Sequence, residues 1–107
     1  MAKKILPSRA KSSKNKKTSE YSTTVRVDNE LGIHARSAAL FAKVANEYEA
    51  EVTVEKGTDQ INGKSIMGLL MLAAAKGSQI KIIAQGPDAA EALRATSELV
   101  KNKFGER

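Results

Sequence analysis

The chain contains a single histidine, His34, and an arginine two residues after it, in the run Gly32-Ile33-His34-Ala35-Arg36-Ser37. The apolar spacing that follows predicts a helix beginning immediately after His34. Its imidazole should therefore stand near the backbone N–H groups of Ala35, Arg36 and Ser37, which have no intrahelical partner. A helix start of this kind favours anions, and an arginine guanidinium matches phosphate oxygens. The same helix dipole disfavours a positive ring and so helps keep the imidazole nucleophilic. The chemistry suggested is acceptance of a phosphoryl group on His34, with Arg36 and the first-turn amides as its ligands. The residues alone also allow a plainer arrangement, in which His34 caps a surface helix and Arg36 is a solvated charge.

Other chemistries have little to build on. There is no cysteine, so disulfides and thiolate metal sites are excluded, and no metal-ligand spacing is present. A hydrolase with His34 as general base would need a nucleophile or acid partner at recognisable spacing, and none is evident. No cofactor is implied. No apolar run approaches the roughly 20 residues needed to span a bilayer, and the start of the chain lacks a signal-peptide pattern. A cytoplasmic, monomeric protein is expected.

The elements that position His34 follow from hydrophobic periodicity. Val25 and Val27 alternate with polar neighbours as a strand. Ala38, Phe41, Ala42, Ala45 and Tyr48 mark one face of the first helix. Val52 and Val54 begin a hairpin that turns at Gly57 and returns through TDQIN. GKSIMGLLMLAAAKG reads as a short helix with Ser65 as N-cap and Gly77 as its stop. Ile80, Ile82 and Ala84 alternate in a fourth strand. Pro87 opens a last helix, whose face is lined by Ala89, Ala92, Leu93, Thr96 and Val100. The order βαββαβα predicts an α+β fold, an open-faced β-sandwich with a four-stranded, mostly antiparallel sheet and three helices on one face. The other face, with Thr53, Glu55, Lys81 and Thr24 or Arg26, should meet water.

The net charge of +6 is unevenly placed. Residues 1–22 carry seven lysines and arginines against Glu20, whereas the remaining 85 residues hold eleven of each sign. Residues 1–21 are expected to be a disordered basic arm and residues 22–107 the folded domain. Lysine clusters attract nucleic acid or anionic surfaces, so a non-catalytic binding module that uses the arm is a second functional reading.

The stretches LGIHARSAALF and, after it, NGKSIMGLLMLAAAKGS resemble the HPr family, the histidine-containing phosphocarrier proteins of the bacterial phosphotransferase system. The resemblance spans about residues 22–104. It implies that His34 takes phosphate from enzyme I and passes it to enzyme II components or regulators, and that Arg36 is the active-site arginine. Ser65 matches a serine that HPr kinase/phosphorylase modifies in some members. Ile33, Ser37, Ile66, Met67 and Leu70 fall in the neighbourhood where partners dock. The helix that carries Ile66, Met67, Leu69, Leu70 and Met71 has too many apolar residues for one buried face, so some should be exposed. One departure stands in the motif: the family usually reads HARPA, and Ser37 replaces the proline. A divergent paralogue with altered partners, such as a nitrogen-related regulator, is the alternative within the family.

Overall fold

The computed structural model describes residues 19–107. Four strands, β1 (Ser19–Arg26), β2 (Glu51–Lys56), β3 (Asp59–Asn62) and β4 (Gln79–Gly86), form one sheet in the order β1-β4-β2-β3, and every pairing is antiparallel. Three helices, α1 (Ala35–Asn46), α2 (Ile66–Leu72) and α3 (Ala89–Lys101), alternate with them in the order expected from the sequence. Strand alternation places Val25, Val52, Val54, Ile80 and Ile82 on the face that the helices cover. There they meet Phe41 of α1, Leu69 of α2 and Val100 of α3, all buried. Thr24, Arg26 and Lys81 point to the other, solvated face, with Thr53 and Glu55 partly exposed.

Several boundaries differ from the sequence expectation. β1 begins at Ser19 rather than Ser22: Ser19, Glu20 and Tyr21 pair with Gly86, Gln85 and Ala84. Backbone pairing to a neighbouring strand needs no apolar alternation, so these polar residues gave no strand signal. The basic arm expected over 1–21 otherwise lies outside the described residues. Tyr48 falls past the end of α1 yet still packs partly buried on the core. α2 stops at Ala73, which adopts a left-handed conformation (φ 54°), and not at Gly77. Lys56 compensates, donating from Nζ to the Leu72 and Ala73 carbonyls at 3.4 and 3.5 Å. Pro87 precedes the N-cap of α3, Asp88, instead of sitting in its first turn. The Asp88 carboxylate accepts from the Glu49 and Ala50 amides at 2.9 and 2.8 Å, and chiefly the Glu49 bond holds its pKa below the usual carboxylate value.

Two connections converge to place His34. The segment 27–33 leaves β1, and the segment 73–78 links α2 to β4. Val27 N donates to Ser78 O at 2.9 Å, Gly77 N to Val27 O at 2.7 Å, and Ile33 N to Ala74 O at 2.8 Å. Gly32 makes this approach possible. Its φ is +66°, and a Cβ there would lie 2.6 Å from Ala74 O, a backbone atom that cannot rotate away. Gly32→Ala is expected to destabilise the domain by about 1–3 kcal/mol in urea unfolding. The comparison is Gly57→Ala, at φ +61° with nothing within 4 Å of its Cβ, which carries only the backbone part, about 1 kcal/mol. Equal losses at the two positions would show that the 32–74 contact contributes nothing.

Candidate phosphoryl-accepting site

His34 is the N-cap of α1, with extended backbone (φ −130°, ψ −172°). The turn of chain needed to start the helix is fixed by Ser37, whose Oγ accepts from the His34 amide at 2.9 Å. This is one half of a capping box, in which a third-position side chain reaches back to the N-cap amide. The same hydroxyl lies 3.3 Å from the carbonyls of both Gly32 and His34 and can donate to either. Ser37 is fully buried. Its expected place among the partner-docking residues is therefore corrected: it is an internal strut of the histidine loop. A proline at this position could fix φ but could not make these bonds.

The chain end supplies a group that sequence reasoning missed. After α3, a left-handed turn at Lys103–Gly105, with φ of 58°, 55° and 73°, inserts Phe104 into the core. The chain then returns over the 29–36 segment, where Glu30 N donates to Arg107 O at 2.6 Å. Glu106 is thereby aimed at the site. Its Oε2 lies 2.8 Å from His34 Nε2 and 2.5 Å from Arg36 Nη1, and its Oε1 accepts from Asn29 Nδ2 at 2.9 Å. Burial alone would push the Glu106 pKa upward. The donors from Asn29, His34 and Arg36 more than offset this, and the pKa falls below the ordinary value. Asn29 is fully buried and also donates to Gly32 O at 2.8 Å. Both acceptors claim its amide nitrogen, which turns Oδ1 inward without a partner. Nothing in the local sequence at Gly105-Glu106-Arg107 signals this role, because the contact spans 72 residues of chain.

A carboxylate only accepts, so Nε2 of His34 carries the proton in this contact. In the neutral ring the lone pair is then on Nδ1, the ring nitrogen closer to the backbone and to the amides that open α1. Arg36 is largely exposed, and its recorded contacts, to Glu106 and at 3.3 Å to Phe104 O, all use Nη1. Its Nε and Nη2 are left to bind an oxyanion. Among the described residues no group of His, Asp and Glu side chains is arranged to hold a metal ion, and no helix is long and apolar enough to cross a membrane.

The remaining sequence candidates separate into surface and interior. Ser65 caps α2, accepting from Gly68 N at 2.9 Å. Ile66, Met67 and Met71 are exposed, Leu70 is half-buried and Leu69 is core. Ile33, expected at the docking surface, is buried, because its amide bond to Ala74 O draws it under the loop. Leu31, two residues earlier, is the exposed apolar residue there.

Replacing Ser37 with Ala should lower the unfolding free energy by about 1 kcal/mol and speed hydrogen exchange of the His34 amide. Unchanged exchange would deny Ser37 its capping role. For Glu106→Gln the sign follows from the lowered pKa. The carboxylate's contribution is fully present at neutral pH and is lost as pH falls from the ordinary value of 4.5 through its folded value. The wild-type chain should melt above Glu106→Gln at pH 7, and the gap should close on acidification. A gap that widens below pH 4.5 would contradict the assignment.

Comparison with known proteins gives the family of the chain. A family model described as the PTS HPr component phosphorylation site matches residues 21–102. The phosphocarrier protein HPr of Neisseria meningitidis (serogroup A, strain Z2491) is 47% identical over 83 residues, covering 78% of this chain and 93% of the relative. The phosphocarrier protein NPr of Shewanella violacea is 42% identical over 82 residues, covering 77% and 90%. The crystal structure of HPr-C-His from Thermoanaerobacter tengcongensis superposes with a TM-score of 0.78 at 39% identity, covering 81% of this chain and 98% of that one. The chain belongs to the HPr family of phosphocarrier proteins of the phosphotransferase system, and its role is to carry phosphoryl groups rather than to catalyse as an enzyme.

Proposed function

We propose that His34 Nδ1 accepts a phosphoryl group from phosphorylated enzyme I and passes it to enzyme II components, and that Arg36 and the first-turn amides of α1 hold the phosphoryl oxygens in both directions. The observation that carries this reading is the Glu106 carboxylate on Nε2, which leaves the nucleophilic lone pair on Nδ1. In transfer, the bond between phosphorus and the donor's nitrogen breaks as the bond to Nδ1 forms. The ring then holds positive charge with its proton on Nε2, opposite Glu106. Positioning and electrostatics suffice for such a step. The reverse transfer is equally open, which suits a carrier.

Ser65 supports a finer reading, control by phosphorylation. Its hydroxyl caps α2 next to exposed Ile66 and Met67. A phosphate there would add about −1.5 to −2 charges beside an apolar docking patch and disfavour an acidic or apolar partner. HPr kinase/phosphorylase is the enzyme class that would place it.

Incubation with phosphoenolpyruvate and enzyme I is expected to give acid-labile phosphoprotein from the wild-type chain and none from His34→Ala. Arg36→Gln should slow transfer by about 10–100-fold with little change in fold, because one guanidinium ligand to the transferring group is lost. A wild-type chain that takes no phosphate from its cognate enzyme I, or a His34→Ala chain that does, would overturn the assignment.

A further inference from the structure

Two methionines stand four residues apart on α2, a spacing that places side chains next to one another on a helix surface. Met67 is 65% exposed and Met71 75%. Neither belongs to the core; α2 is anchored there by Leu69 and Leu72. Its C-terminal end adjoins the histidine loop, where Ala74 O accepts from Ile33 N and Gly32 packs on Ala74 and Ala75. Leu31 on the histidine loop and Ile66 on α2 are likewise apolar and exposed. The chain has no cysteine, so methionine is its only sulfur.

An exposed thioether reacts with peroxide without any opening of the fold, whereas a buried one must wait for the fold to open. Oxidation also has an asymmetric effect here. The free protein keeps its core, because no core side chain is altered. A partner that buried two apolar thioethers must instead bury two S=O acceptors, and a buried acceptor without a donor is strongly unfavourable. Leucine would give similar apolar area, but methionine adds both adaptable packing and this chemistry.

We propose that Met67 and Met71 are a reversible oxidation site that regulates docking of enzyme I on the α2 surface next to the histidine loop, an inference that rests on the carrier reading. The oxidant is a peroxide. The sulfur electron pair attacks one peroxide oxygen, the O–O bond breaks, a sulfoxide forms and water leaves. In the reverse step a dithiol reductase removes the oxygen as water while the dithiol becomes a disulfide.

The test treats the full chain with hydrogen peroxide, removes the oxidant, and maps the oxidised residues by peptide mass. Binding to enzyme I and phosphoryl acceptance are then measured, each sample against its own untreated control. Expected are one added oxygen on each of Met67 and Met71 and an unchanged circular dichroism spectrum. Binding to enzyme I should weaken about tenfold, equivalent to 1.4 kcal/mol, and methionine sulfoxide reductase should restore it. The double variant Met67→Leu/Met71→Leu should show no peroxide-dependent change in binding. The proposal is overturned if both residues stay unoxidised under conditions that oxidise a free methionine peptide. It is equally overturned if the doubly oxidised chain binds as its control does, or if the untreated chain does not bind enzyme I. An untreated chain that binds enzyme I but takes no phosphate defeats the carrier reading alone.

Discussion

One carboxylate organises the site. Glu106 receives hydrogen bonds from Asn29, His34 and Arg36, and these three residues come from the loop after β1 and the first turn of α1. Its contact with Nε2 selects the tautomer of the only histidine. Its contact with Arg36 holds the guanidinium on the same side as the ring. Its contact with Asn29 ties both to the backbone at Gly32. The carboxylate is itself placed by Phe104, whose burial fixes the chain end that bends back over the loop. A paired, hydrogen-bonded carboxylate in a partly buried place is costly to leave without partners, so the four side chains act as a unit.

The carrier role follows from how little this unit commits the phosphoryl group. The anion would be held by amides, a guanidinium and a ring already protonated on its far nitrogen, groups that position the phosphoryl without bonding it beyond the single bond to nitrogen. Ser37 contributes by fixing the loop geometry through a hydroxyl where the family pattern has proline. The two solutions are physically different, a hydrogen bond from the His34 amide to the Ser37 hydroxyl in one case and a pre-set φ in the other. Both stiffen the junction on which the position of His34 depends.

Local patterns reveal much of this fold. Alternation in β2 and β4, the helical spacing of Ala38, Phe41 and Ala42, and Ser65 at a helix start all correspond to elements found in the structure. The failures share a cause. Ser19–Tyr21 form a strand through pairing with β4, the carbonyls of Leu72 and Ala73 at the end of α2 find a donor in Lys56 of β2, and Ile33 is buried by a bond to Ala74. In each case a residue distant in sequence decides the outcome. Glu106 is the extreme example. His34 and Arg36 stand out in the sequence because their neighbours define a helix start and the flanking stretches resemble the HPr family, whereas a carboxylate brought from residue 106 leaves no periodic or spacing signal near the histidine.

The claim that Glu106 fixes the ring with its lone pair on Nδ1 can be read directly by nuclear magnetic resonance of the ¹⁵N-labelled, enzymatically phosphorylated chain. Phosphorus coupling and ring-nitrogen shifts should place the phosphoryl group on Nδ1 of His34, with a proton retained on Nε2. Phosphorylation at Nε2 in the wild-type chain would require Glu106 to leave the ring before transfer, and would contradict the account.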